Sequence, residues 1–247
     1  LHTIIVIPAR YHSSRLPGKP LVMLNGVSMI QRTYEQCVKG FARERTYVAT
    51  DDQRIVDHCN AAGMNVVMTS PDCLTGTDRV AEVARSVPAD LYLNVQGDEP
   101  LFNPDDISVM MEAAAAYPGD VLNGFAPIDE EAFRSPTIPK VVARPDGRLL
   151  YMSRGSIPTT KGHRFVRAWR QVCIYAFTPA SLDAFAACTE KTPLEAIEDI
   201  EILRILELGF EVRMVPLSVD SVAVDTPEDV EKVERILRER ESSGVLA

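Results

Sequence analysis

Ile4-Ile5-Val6-Ile7, then Pro8-Ala9-Arg10, then Arg15-Leu16-Pro17-Gly18-Lys19-Pro20, is the stretch whose reading decides the fold. An unbroken apolar run rich in β-branched residues fits a strand buried on both faces, as in a parallel sheet, better than a strand with one wet face. The run breaks into a loop carrying Arg10, Arg15 and Lys19, with Ser13 and Ser14 between the arginines. Pro17-Gly18 bends the backbone at a fixed place, and Pro20 biases Lys19 away from helical geometry. Three cations at the carboxyl end of a first parallel strand form a cradle for a polyphosphate, where open α/β sheets bind ligands. An ordinary basic surface loop is the plainer reading, and it leaves the Pro-Gly-Lys-Pro framing unexplained.

Outward from this stretch, the rhythm is strand, helix, strand, helix with short connections, the pattern of a doubly wound sheet. A helix is expected over Val27–Val38, a strand over Thr46–Ala49, a helix capped by Thr50 or Asp51 and ending near Gly63, and a strand over Asn65–Met68. Thr75-Gly76-Thr77-Asp78-Arg79 opens the next helix. Gly76 between two hydroxyls lets the backbone approach a ligand, and Arg79 in a first turn opposes the helix dipole unless an anion lies nearby. Asp90–Val95 reads as a strand that delivers Gln96-Gly97-Asp98-Glu99-Pro100 at its carboxyl end, where Gly97 would clear room for a nucleotide. Magnesium is usually held by one or two carboxylates, with phosphate and water completing the octahedron, and Asp98 suits that role.

Asn103–Ala116 is a helix, after which the rhythm changes. Val121–Ala126 reads as a strand, and Lys140–Ala143 and Leu149–Met152 as a pair joined by Pro145-Asp146-Gly147. The polar, basic stretch 159–170 holds the single Trp169. Residues 120–177 are expected to form an antiparallel insertion within a single domain spanning 1–247. Gln171–Phe177 is a further strand. Thr192-Pro193-Leu194-Glu195 is a capping box opening a helix expected to run to Gly209, and Phe210–Leu217 is a strand. Val222–Asp225 leads into Thr226-Pro227-Glu228-Asp229, the cap of a last helix, and 241–247 is expected to be a loose tail.

Composition narrows the function. The 247 residues, 46% hydrophobic, suffice for one substantial core. The net charge of −9 disfavours nucleic acid as a partner. No apolar run is long enough for a bilayer, and five scattered cysteines without C-x-x-C spacing point to a reducing, cytoplasmic setting. The four histidines lack metal-ligand spacing. An acidic chain must therefore bind a polyphosphate through locally concentrated cations and metal.

The opening signature, the Thr-Gly-Thr-Asp-Arg turn, Gln-Gly-Asp-Glu-Pro and Val-Asp-Thr-Pro-Glu-Asp, in that order, resemble the motifs of 3-deoxy-manno-octulosonate (KDO) cytidylyltransferases. The resemblance implies a homodimeric transferase that moves CMP from CTP to an anionic acceptor and releases pyrophosphate. It implies that Pro8, Ala9, Arg10, Arg15 and Lys19 meet the triphosphate, with Arg10, Lys19, Asp98 and Asp225 catalytic. It further implies that Thr75, Gly76, Thr77 and Arg79 bracket the nucleoside, and that Asp98 and Asp225 hold Mg2+. Gln96, Arg154, Gln171, Tyr175 and Glu201 fall on the acceptor side, and the segment 120–177 would serve as acceptor lid and dimer interface. The chain departs from the family where a histidine and a glycine precede the tyrosine, having Gln171 and Cys173, and where glutamate is followed by glutamine, having Glu201-Ile202. These departures open a second reading, a smaller acceptor such as a carboxylate-bearing phosphonate. A third is a CTP-binding relic without turnover.

Overall fold

The structure, a computed structural model, describes residues 1–13, 15–219 and 221–242; Ser14 and the end of the predicted tail lie outside these residues. In chain order the elements are β1 (Thr3–Pro8), β2 (Met23–Leu24), β3 (Val27–Ser28), α1 (Met29–Gly40), β4 (Thr46–Thr50), α2 (Gln53–Ala61), β5 (Val66–Met68), α3 (Gly76–Ser86), β6 (Leu91–Val95) and α4 (Asp105–Ala116). They continue with β7 (Val121–Ile128), α5 (Glu130–Arg134), β8 (Lys140–Ala143), β9 (Leu149–Ser153), β10 (Ala168–Phe177), α6 (Pro179–Ala186), α7 (Pro193–Glu198), α8 (Ile202–Glu207), β11 (Val212–Pro216) and α9 (Pro227–Ser242).

β1 lies inside the sheet, parallel to β4 on one side and to β6 on the other, in the order β11-β7-β10-β6-β1-β4-β5. Its alternation explains the apolar run. Ile5 and Ile7 enter one core with α1 and α4, while Ile4 and Val6 enter the opposite core beneath α3, α6 and α8. The sheet is parallel except where β10 runs antiparallel between β6 and β7. The segment 120–177 therefore supplies two strands of the main sheet itself, and the β8–β9 hairpin hangs from β10 by a short antiparallel pairing. No helix among the described residues is long and apolar enough to cross a membrane.

Several boundaries differ from expectation for identifiable reasons. Ser28 caps α1, accepting from the Gln31 amide, so the helix starts two residues later than its apolar pattern. Asp52, rather than Thr50 or Asp51, caps α2. β10 begins at Ala168, because Trp169 and Arg170 pair with both β7 and β8 despite the polar surroundings. The helix expected from Pro193 to Gly209 breaks at Asp199, whose φ of 52° is left-handed, and restarts at Ile202. At the other end of the chain, α9 continues through Ser242.

Candidate active site

Pro8 ends β1, and the Ala9 amide is tied to the Ala49 carbonyl at 2.8 Å, so the loop departs from a fixed point. The loop returns at Gly18, whose φ of 67° is left-handed and whose amide donates to the Tyr11 carbonyl at 3.2 Å. The Tyr11 ring lies 3.3 Å from the Arg54 guanidinium, a cation–π contact that backs the loop. Lys19 follows directly, in a single 3-10 turn. Its Nζ donates to Asp98 Oδ2 at 2.6 Å and to Asp225 Oδ1 at 2.8 Å, and Arg15 meets the same Asp225 oxygen at 3.1 Å. The loop and both predicted metal-ligating carboxylates thus converge on one point.

Burial works against the Lys19 ammonium, yet the two carboxylates outweigh it and hold its pKa above the ordinary value. Burial likewise pushes the Asp225 carboxyl up, and the Lys19 contact together with Arg15 brings it below the usual range. Arg10 stays exposed, and its charge adds, after Lys191 and Arg154, to the depressed pKa of Asp199.

The carboxylates reach this point by different routes. Asp98 follows β6, whereas Asp225 lies on irregular chain ahead of α9. The Val224 amide donates to the Asp98 carbonyl at 2.9 Å and locks the two segments together. Asp98 and Asp225 both turn hard oxygen donors to one cation, the Lys19 ammonium, and a carboxylate pair of this kind is the donor set magnesium takes along with phosphate and water. Among the described residues no cluster of three or more His, Cys, Asp or Glu forms an all-protein metal cage.

Gly97 is needed for the packing of the sheet itself. A Cβ there would lie 2.9 Å from the Pro8 carbonyl oxygen and 3.3 Å from Ile30, so the glycine lets β6 pass close under the end of β1. Gly97→Ala is expected to destabilise the fold by about 1–3 kcal/mol through this overpacking, read as a lower urea midpoint at unchanged slope. The Asp98-Glu99 pair is also split. Asp98 faces the site, whereas Glu99 turns inward, and burial and then the Asp98 charge push its carboxyl to about 7 against the pull of Arg170.

At the head of α3, Thr75 is the cap, and Asp78 completes a reciprocal capping box by accepting from the Thr75 amide at 2.8 Å and its hydroxyl at 2.7 Å. Glu201 accepts from the Gly76 amide at 3.2 Å, the Thr77 amide at 2.9 Å and the Thr77 hydroxyl at 2.6 Å. The free amides of this helix start are therefore taken by a carboxylate of the chain itself. A Cβ on Gly76 would lie 3.1 Å from Pro8 Cγ and 3.2 Å from the Gln96 amide, so the turn is pressed against the end of β1 and the start of the Gln96 loop. Arg79 is buried, donating to Asp51 at 2.7 Å, Thr69 at 2.8 Å and the Ser70 carbonyl at 3.1 Å. The anion its position demanded is Asp51, and the arginine braces the turn from behind instead of flanking a nucleoside.

On the other flank, the Gln96 amide donates to the Cys173 carbonyl at 3.2 Å, where β10 bulges against β7 between Val172 and Tyr175. Gln171 Nε2 donates to Asn123 Oδ1 at 2.8 Å and to the Tyr175 hydroxyl at 3.2 Å, and the Tyr175 ring stacks on Phe177. Arg154 donates to the carbonyls of Glu198 at 2.7 Å, Thr137 at 2.9 Å and Asp199 at 3.0 Å, two of them exposed by the break between α7 and α8.

Residues 4–214 match the family model described as Cytidylyltransferase. The 3-deoxy-manno-octulosonate cytidylyltransferase of Chlorobium luteolum is 40% identical over 96% of this chain and 98% of its own length. The 8-amino-3,8-dideoxy-manno-octulosonate cytidylyltransferase of Shewanella frigidimarina is 39% identical over 93% of this chain and 96% of its own. A solved CMP:2-keto-3-deoxy-manno-octonic acid synthetase, complexed with CTP, superposes with a TM-score of 0.90 at 35% identity, covering 97% of this chain and 100% of that one.

The chain belongs to the cytidylyltransferase family. It is a CTP-dependent nucleotidyltransferase, and the resemblance seen in its four motifs holds over nearly its whole length. In this cytidylyltransferase, two of the three departing acceptor-side positions have specific surroundings. Ile202 is buried in the apolar core with Leu203 and Ile205, so it leaves no polar gap in a pocket wall. Gln171 supplies an amide bonded to Tyr175, so a polar group persists there. Sequence reading also missed Glu99, Glu195, Glu198 and Arg204 as parts of the cytidylyltransferase site or its supports. For Arg204 a signal was present, a lone charge inside the apolar run Ile202-Leu203-Arg204-Ile205-Leu206.

Proposed function

We propose that this cytidylyltransferase transfers CMP from CTP to 3-deoxy-manno-octulosonate or a close relative of it, with release of pyrophosphate. The observation that carries the reading is the convergence of Asp98, Asp225 and Lys19 on one point, in a chain that matches a CTP-complexed synthetase along its length. An acceptor hydroxyl oxygen attacks the α-phosphorus, a new P–O bond forms, and the bond from the α-phosphorus to the α–β bridging oxygen breaks. Arg15 and Lys19, with exposed Arg10, neutralise the pyrophosphate as it departs. Mg2+ held by Asp98 and Asp225 would offset phosphate charge and lower the pKa of the attacking hydroxyl. Gln96, Tyr175 and Gln171 orient the acceptor, and Arg154, fixed by three carbonyls, keeps its charge directed at an anionic group.

The reading is tested by pyrophosphate release with CTP and a panel of 3-deoxy-manno-octulosonate, its 8-amino-8-deoxy analogue and phosphonoformate. One of the two sugar acids is expected to exceed phosphonoformate by at least about tenfold in kcat/KM, since a site built for hydroxyls rejects acceptors that leave its polar groups unpaired. Preference for phosphonoformate would overturn it.

The protein acts as a homodimer in this proposal. β9 is paired within the sheet on one side only, by β8, and its Leu150 is 57% exposed. Ile197 is 79% exposed on α7, whose Glu198 accepts from Tyr151 and Ser153 of the same strand. Exposed large apolar side chains on neighbouring elements, beside an open strand edge, support association through this part of the surface. Ile197→Asp is expected to shift the mass measured by light scattering from dimer to monomer; an unchanged dimer would place the interface elsewhere.

A further inference from the structure

We infer that Arg204 is a positioning residue for the nucleotide turn Thr75–Thr77, an inference that rests on CTP being the donor. Arg204 is fully buried in α8, at 0% exposure, and its Nε and Nη2 make a bidentate pair with the two carboxylate oxygens of Glu195 at 2.6 and 2.7 Å. Its Nη1 donates to Asp78 Oδ1 at 3.0 Å and to the Phe185 carbonyl at 3.3 Å, and the guanidinium lies 3.7 Å from the Phe185 ring.

Both carboxylate partners have a second duty. Glu195 closes the capping box of α7 by accepting from the Thr192 amide at 3.1 Å, and Asp78 closes that of α3. One guanidinium therefore cross-links the starts of two helices, and one of those starts is the turn pressed on Pro8 and Gln96. Three residues earlier on the same element, Glu201 grips the Gly76 and Thr77 amides. Glu201 and Arg204 together hold two amides, one hydroxyl and the Asp78 carboxylate at this turn.

Stability alone does not call for this arrangement. Ile202, Leu203 and Ile205 beside Arg204 are apolar and buried, and an apolar residue of similar volume commonly serves a fold as well as a buried ion pair. A planar guanidinium has what an ammonium lacks, a fork that fixes two carboxylates at set angles. It thereby sets where Asp78, and with it Thr75 and Gly76, stands relative to the end of β1. Arg154, in contrast, is held at the far end of α7 by backbone carbonyls that a change at Arg204 leaves in place.

The test is steady-state pyrophosphate release by Arg204→Lys and Glu195→Gln, with Arg213→Lys as the control. Arg213 is also a largely buried arginine paired with a carboxylate, Asp120, and it lies on β11 away from the turn. Arg204→Lys is expected to raise the KM for CTP about tenfold, as displaced positioning groups do, with the acceptor KM within about twofold of wild type. Glu195→Gln, which keeps one side of the bidentate pair, should shift the KM for CTP in the same direction by less. Arg213→Lys should lower the melting temperature without moving the KM for CTP. A KM for CTP within about twofold of wild type in both site variants would overturn the inference, as would an equal rise in Arg213→Lys. A wild-type protein that neither gains thermal stability with CTP nor consumes it would sink the donor reading, which separates that failure from this one.

Discussion

Asp98→Asn and Asp225→Asn are each expected to lower kcat by on the order of 10²–10³, the scale on which loss of one preorganised electrostatic group acts. Both carboxylates reach the same ammonium, at 2.6 and 2.8 Å, from segments more than a hundred residues apart, so neither can be replaced by a neighbour. Asparagine keeps the size and one acceptor oxygen but removes the charge that a divalent cation requires. The fold should tolerate either change, because ion pairs at partly exposed carboxylates contribute only about 0–1 kcal/mol. Circular dichroism and thermal melting should thus stay close to wild type while pyrophosphate release collapses. Near-normal rates in either variant at saturating Mg2+ would remove that carboxylate from the site.

Lys19→Ala carries the second-largest effect. Its ammonium is 13% exposed and fixed by two carboxylates, at the point where the loop from β1 turns toward the substrate. Removing it leaves two carboxylates facing each other with Arg15 as the remaining cation on Asp225, and takes away a positive charge at the departing pyrophosphate. A loss of about 10²-fold in kcat/KM for CTP follows from removing a preorganised positive charge at the departing group. Lys39→Ala provides the contrast, since Lys39 is an exposed residue in the last turn of α1, and its removal should change the kinetics less than about twofold. Equal kinetics for the two variants would contradict a phosphate cradle built around Lys19.

The parts of this site legible in the sequence are those whose cause lies within a few residues. The apolar run of β1, the Pro-Gly bend before Lys19, the cap at Thr226 and Asp229, and the carboxylate after β6 are all local. Each stands where the pattern placed it. What escaped depends on partners far along the chain. Glu201 reaches Gly76 across 125 positions and Arg204 reaches Asp78 across 126, and nothing near either residue announces the other. The break at Asp199 is invisible for the same reason, since the residues around it have ordinary helical propensity and the carbonyls it frees are taken by Arg154, some 45 positions away. Gly76, Gly97 and Arg79 sit where the motifs make room for or meet a nucleotide, and each also serves contacts inside the protein. Motif spacing shows that a small or charged residue is required at a position; only the packing shows by what.

The most direct test of the account is phosphorus NMR of the protein mixed with CTP, Mg2+ and 3-deoxy-manno-octulosonate. The account predicts that the three CTP resonances decay together while a CMP phosphodiester signal and pyrophosphate rise in equal amounts, and that leaving out the sugar acid abolishes both. CTP resonances that persist unchanged, in a sample whose melting temperature nonetheless rises with CTP, would show a nucleotide binder without transfer and would contradict it.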